Sequence, residues 1–475
     1  MSTVNKAPEQ TGGSAGAGGA GKGGSAGSSV DGGSHSGGSA QGGSAGSASG
    51  GDAGSPMGGS AGSSGNSGSG GSSGSGGDAG AGNGGSSGSG AGSASGALPS
   101  AEWYRQFGTS SNESARGVRR APNGDVVLVG YIPGALPGQI HYGQTDVFLR
   151  RYDAEGSELW TRQFGTSASE YPTALAIDQA GDSYFAAGPA GATTIYKYAA
   201  DGSKGWTSDM GGHPTNRVMA LAVDASNNLF VVGRTSGNLG GFTQLGYGDA
   251  FIWKYAATGE DLWIHQFGTV QGDQIEDIEV DPAGNIYLAG STSGKFPGET
   301  QDGTGNNVFV AKFNTSGGLM WLHQFAALAT CVAHDGQGGL YVAGYLDGTL
   351  PGQAQVGLND AFVRRYDSTG AESWTLQFGT TNLDYVYDCA LGSDGNLRAA
   401  GRSYDESAPG APPVVWTLSP TGALLDTRFL SVTMGEAEDI ALAADWMFVS
   451  GNTSGTLPGQ STSGASDVFL AALKQ

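Results

Sequence analysis

The tripeptide Gln-Phe-Gly constrains this chain most, because it returns at a nearly fixed interval. Its Phe stands at Phe107, Phe164, Phe267 and Phe378, with degenerate copies at Met210, Phe325 and Phe429. The spacings run from 46 to 58 residues and define seven units. A period of that length is the mark of a repeat architecture. Each unit reads alike. A short apolar segment such as "ALAID" or "ALAVD" leads into a tight turn, "DQAGD" or "DASNN". A second segment follows and ends in Gly, as in "IYLAG" or "LYVAG". Next come a longer loop, often with Leu-Pro-Gly, and a third segment such as "DVFLRRY" or "DAFIWKY". A second tight turn, "DAEGS" or "DSTGA", opens the fourth segment, "LWTRQFG". Short β-branched and aromatic runs bounded by Gly, Asp, Asn and Pro are strands and hairpins. No sustained helical period interrupts them. Four strands per unit and seven units predict an all-β chain, a seven-bladed β-propeller with four antiparallel strands per blade.

The ends predict how the ring closes. The seventh unit stops at "DVFLAALKQ" without a fourth strand, and the missing piece stands first, "AEWYRQFG" from Ala101 to Gly108. The N-terminal strand is expected to complete the last blade, since an open ring would leave two bare sheet edges. Residues 99–475 form the propeller in this reading. Residues 1–98 are almost all Gly, Ser and Ala. Such a segment has too few apolar side chains to offset its ordering entropy and reads as a disordered linker or stalk.

Charge narrows the partners. The net charge is −21, and the stalk holds only two Lys and four acids. An acidic domain repels phosphate backbones, which argues against nucleic acid. No run of 18 apolar residues is present, so no transmembrane helix is expected. The given N-terminus lacks the basic and apolar regions of a secretory signal, and a start codon placed too far downstream would hide a signal peptide or a lipidated cysteine. Cys331 and Cys389 fall in the innermost strands of adjacent blades. Facing sheets lie roughly 10 Å apart, beyond disulfide reach, so both are expected as small buried thiols.

One recurrence could carry chemistry. Six residues after the Phe stands an acid in four units: Glu113, Glu170, Asp273 and Asp384. The third unit has Asn216 there, and the seventh has Glu436 nearby. The position just precedes the innermost strand and so borders the channel mouth. A ring of carboxylates there would bind a ligand or a cation, with calcium the ion it would take. Alternatively, each carboxylate accepts amide hydrogen bonds and pins its own loop. A second recurrent acid, at Asp146, Asp249, Asp360 and Asp467, reads as a turn or bulge cap. The Gln of the repeat, at Gln106, Gln163, Gln266, Gln324 and Gln377, is expected to hydrogen-bond between blades. No catalytic residue emerges. "GGSAG" at Gly12 to Gly16 spells a nucleophile elbow inside low-complexity sequence, without the strand and helix that elbow needs.

"DPAGNIYLAGSTSGKFPG", "DAFVRRYDSTGAESW" and "QFGT" together resemble the bacterial seven-bladed β-propeller repeat family, SBBP. The resemblance implies a propeller on an exported, surface-attached or lipoprotein-type chain with a Gly/Ser-rich stalk. It brings no catalytic residues. "RYDAEGSELW" and "KYAATGEDLW" also look like the tryptophan-docking repeat of quinoprotein dehydrogenases, although no adjacent Cys pair exists here. The reading that follows is a monomeric, non-enzymatic binding or adhesion scaffold at the cell surface. It needs no cofactor, and it meets a protein or glycan through its long-loop face. The competing class is a propeller enzyme, quinoprotein-like or polysaccharide-acting.

Overall fold

The computed structural model describes residues 98–189, 193–210, 216–300, 307–404, 410–432 and 434–475. Apart from Leu98, the stalk assigned to residues 1–98 lies outside them. Seven four-stranded antiparallel sheets make up the described chain. Blade 1 is Ser114–Arg120, Val126–Ile132, Asp146–Tyr152 and Glu158–Phe164, counted from the inside outward. Blades 2 to 6 repeat that order and end at Asp209, Phe267, Phe325, Phe378 and Phe429. Blade 7 runs from Gly435 to Lys474, and its outer strand is Trp103–Phe107. Each innermost strand packs on the next one and the last on the first, so the ring is closed. The propeller and its closure are as the repeat predicts.

The recurrent Trp explains how one blade grips the next. Trp103 Nε1 donates to Ala154 O at 3.0 Å, in the outer hairpin turn of blade 1. Trp160, Trp206 and Trp374 do the same to Ala200, Ala257 and Pro420 of the blade that follows. The indole lies flat over the turn glycine. Gly156 has φ of 76°, and a Cβ there would come within 2.7 Å of the Trp103 ring. Only glycine meets both demands.

The seam departs from this scheme in two matched ways. Blade 7 has no outer hairpin turn, because its third and fourth strands come from opposite ends of the chain. Blade 6 correspondingly has Leu425, 56% exposed, where the other blades carry the Trp. Polar contacts take over. Arg428 donates to Lys474 O at 2.6 Å and to Glu102 Oε1 at 3.0 Å, and Glu102 also accepts from Lys474 N at 2.8 Å.

All seven innermost strands carry a β-bulge at the same place, for example at Arg116, Glu276 and Glu438. The residue just after the bulge meets the next blade. Asp277, Asp388 and Asp439 accept from Val332 N, Ile440 N and Val118 N at 2.7–3.0 Å. At three other junctions this residue is small: Gly117, Ala174 and Ala220. A Cβ on Gly117 would lie 2.8 Å from Leu175. At the seventh junction, Cys331 is bonded to Cys389 with Cα atoms 5.8 Å apart. The thiol expectation is therefore corrected. The 10 Å spacing belongs to parallel sheet faces, whereas innermost strands converge on the axis.

The disulfide thus stands where three siblings use a carboxylate and an amide. It closes a loop of 58 residues, which corresponds to about 4 kcal/mol in the chain-entropy account. Replacing both cysteines by Ser is expected to cost up to about that much in denaturant unfolding. Cys331→Asp with Cys389→Val rebuilds the sibling latch and should recover part of the loss. A double variant no better than the Ser pair would show that the latches are not equivalent.

Candidate functional site

The short turns lie on one face of the propeller and the long loops on the other. The long-loop face is built by a repeated lock. In blade 1, Gln163 Oε1 accepts from Leu136 N at 2.9 Å, while its Nε2 donates to Gly134 O and to Asp146 Oδ2, both at 2.8 Å. Gln266 with Asp249, Gln377 with Asp360 and Gln106 with Asp467 repeat the set. The Gln therefore works inside its own blade, tying the Leu-Pro-Gly loop down, and not between blades as expected. The loop folds back over the end of its own outer strand, which brings its amides within reach. Asp146 and its counterparts are the loop caps that the sequence suggests.

Glu113, Glu170, Asp273 and Asp384 stand at the entrance to the innermost strands and are all buried. Each accepts from the Thr four residues before it. Glu170 takes Thr166 N at 3.1 Å and also the Thr166 hydroxyl. Glu113 takes the Thr109 hydroxyl. Asp273 takes Thr269 N at 2.6 Å and Thr292 Oγ1 at 2.5 Å, and Asp384 takes Thr380 N at 2.6 Å. The Gly just before that Thr leaves room for the carboxylate beside it. A Cβ on Gly268 would lie 2.6 Å from Asp273 and 3.4 Å from Asp249. Burial pushes the Asp273 carboxyl up to about 6, against the Thr hydrogen bonds that lower it. Glu436 differs from the other four: it pairs with Arg402 and stays partly exposed. Among the described residues, no cluster of three or more His, Cys, Asp or Glu is placed to hold a metal.

The channel mouth is richer than this ring of acids. Arg116 pairs with Glu438 at 2.8 Å across the junction of blades 1 and 7. Tyr345 packs edge-on against Tyr385 at 4.7 Å, and Tyr385 stacks with Tyr387 at 6.1 Å. Burial drives Glu438 up to about 7. Deeper in the channel, Arg119 pairs with Asp439 at 2.7 Å. Asp388 is raised well above the usual carboxylate range, by burial and by the neighbouring Asp439, to which it is hydrogen-bonded. Reasoning from the sequence missed these residues, because they vary from blade to blade. The usable signal was that variation, at a position where the rest of the strand recurs.

Between blades 3 and 4 the same face opens into a cavity of about 470 Å³. Of the five acids singled out from the sequence, Asp273 alone lines it. No helix among the described residues is long and apolar enough to cross a membrane.

Residues 262–297 match the SBBP family, described as a beta-propeller repeat. A comparison with curated proteins finds no match. Among solved structures, the chain is similar to the Pan2 WD40 domain of Neurospora crassa, at 8% identity and a TM-score of 0.47 over 80% of this chain and 98% of that one. It is also similar to the β-propeller domain of the trilobed protease of Pyrococcus furiosus, at 8% identity and a TM-score of 0.42, covering 77% and 96%. A gluconolactonase from Xanthomonas campestris matches at 17% identity and a TM-score of 0.36, covering 69% and 90%.

Proposed function

We propose that this propeller is a non-enzymatic binding scaffold displayed at the cell surface, which engages a protein or glycan with its long-loop face. One observation carries the reading. Positions that build the blades recur, whereas the bulge positions diverge into Arg116, Thr173, Met219, Glu276, Thr330, Tyr387 and Glu438. Scaffold needs do not ask for Arg, Tyr and Glu at equivalent places, but ligand recognition does. The disulfide supports an oxidising compartment, and a Gly/Ser-rich stalk suits a tether.

Binding of the full-length protein to intact cells and to a glycan array is the test. Tyr385→Ala and Arg402→Ala should abolish saturable binding, while Gln179→Ala on the opposite, short-turn face should leave it intact. Binding that survives both loop-face variants would sink the reading. The enzyme alternative draws on the Asp388–Asp439 pair, two hydrogen-bonded carboxyls in which burial and the neighbouring Asp439 raise Asp388, an arrangement acid–base chemistry uses. Turnover on a panel of polysaccharides or alcohols, lost in Asp439→Asn, would favour it.

In this reading Glu113, Glu170, Asp273 and Asp384 serve the loops that present the ligand surface, and Glu436 with Arg402 belongs to that surface. Millimolar calcium should leave the melting temperature unmoved, because calcium takes six to eight oxygens and no cluster of three or more acids among the described residues is placed to supply them. A calcium-dependent rise, abolished in Glu170→Ala with Asp273→Ala, would reassign the acids to a cation.

A further inference from the structure

At four places on the long-loop face, the loop that follows a blade's second strand forms a single parallel bridge with the loop that leads to the next blade. The bridge partners are Asn112 with Ser466, Thr145 with Ser169, Asn359 with Leu383, and Gly248 with Gly272. Three bridges carry side chains on both residues, and the fourth carries none. A Cβ on Gly248 would collide with the Arg234 guanidinium, so glycine there is what lets Arg234 pass. Gly272 has no such obligation. Its backbone is not in the left-handed region, and a Cβ would meet only Arg234 Nη2, at 3.8 Å. Nothing in the scaffold requires Gly272, yet its missing side chain leaves open the cavity between blades 3 and 4.

The walls of that cavity define a chemistry. Arg234, Gln271, Asp273, Gln274 and Glu276 line it, with Tyr247 at the rim, 74% exposed. Arg234 donates from Nη2 to Tyr247 O at 3.0 Å, while its Nε is buried without a hydrogen-bond partner among the described residues. Glu276 is held in place by Gln274 Nε2 at 2.8 Å and Ser291 Oγ at 2.9 Å. Donors and acceptors therefore alternate around a small volume, and Leu328 is the apolar wall. A single guanidinium against two carboxylates disfavours a phosphate or other anion. A divalent cation would be repelled by the guanidinium that shares the space. Vicinal hydroxyl groups suit this arrangement, since each offers a donor and acceptors to neighbouring polar groups. An exposed tyrosine at the rim offers a face for the C–H side of a ring, and the volume falls within the range of small-ligand sites.

We infer that the cavity left open at Gly272 is a binding pocket for a neutral pyranose unit, such as the terminal residue of a glycan. The inference rests on the scaffold reading and names its ligand class. Full-length protein is titrated by calorimetry with glucose, galactose, mannose, N-acetylglucosamine, maltose, cellobiose and lactose. At least one of these sugars should bind saturably. Gly272→Asn, which installs the residue of the matching bridge position Asn112, should weaken that binding about tenfold or more with an unchanged melting temperature. Glu276→Gln keeps shape and removes charge, and it should weaken the same sugar. The inference is overturned if no sugar in the panel binds, or if one binds equally well to both variants. Loss of all sugar binding alongside retained, loop-face-dependent cell binding would remove this inference and spare the scaffold reading.

Discussion

Deleting Ala101 to Phe107 is expected to abolish the folded propeller. The strand Trp103–Phe107 pairs along its whole length with Asp467–Lys474, from Trp103 opposite Ala472 to Phe107 opposite Val468. Trp103 is buried against Tyr152 and Phe448, and its indole donates across to blade 1. Removing a buried Trp alone costs about 3–5 kcal/mol. The ladder hydrogen bonds, Arg105 to Gly156 O and the Glu102–Arg428–Lys474 seam go with it. The sum reaches the total stability of an ordinary domain, about 5–15 kcal/mol. Circular dichroism and thermal unfolding of the truncated chain should show no cooperative transition. Trp103→Ala, tested beside it, should lower the midpoint while leaving a folded protein. A truncated chain with an unchanged melting temperature would mean that the seam does not hold the ring.

The second large effect is an unusual dependence on pH. Asp277 is pushed up to about 7, chiefly by burial and then by Glu279, with Arg119 opposing. Glu438 and Asp273 are raised to about 7 and about 6, and Asp388 is raised well above the usual carboxylate range. A carboxyl whose folded pKa exceeds its unfolded value stabilises the fold when protonated. That contribution is complete below about pH 4 and is lost as pH rises through 6 and 7. For Asp277 the rise from 3.8 to about 7 is on the order of 4 kcal/mol. His265 and His334 act the other way, because burial lowers both and their contribution fades below the unfolded value near 6.5. With Glu113 and Glu276, which burial also raises, six carboxyls outweigh two imidazoles. The melting temperature should therefore be higher at pH 5 than at pH 8, by roughly 5 °C or more. Asp277→Asn keeps an oxygen for Val332 N and carries no charge at any pH, so it should raise the midpoint at pH 8 and flatten the profile. A midpoint that falls steadily from pH 8 to pH 5 would contradict this.

The blades were legible in the sequence because each strand and turn repeats the same demand seven times. Closure was legible for the same reason, since one strand was missing at one end and spare at the other. The junctions around the axis were not. Cys331 stands in register with Asp277, Asp388 and Asp439, which is visible once "EDIEV", "TCVAH", "YDCAL" and "EDIAL" are aligned on the bulge. Without the bulge, nothing says that this residue faces a neighbouring strand, and a spacing taken from flat sheets misjudges the distance. The acids after the repeat Phe were visible in the sequence as a recurrence. What the sequence could not convey is that each is turned inward on its own threonine, and that Asp273 also lines the cavity between blades 3 and 4. That cavity was hidden because its signal is an absence, two glycines where the siblings have side chains.

The seam has a mechanical consequence. Residues 1–97 join the propeller through the strand that closes it, so tension applied along that segment falls first on Trp103–Phe107. The covalent links of the other six blades are not loaded until the seam gives way. If the protein is held by its N-terminal segment, the hydrogen bonds to Asp467–Lys474 and the Trp103 anchor together set the force at which the ring opens.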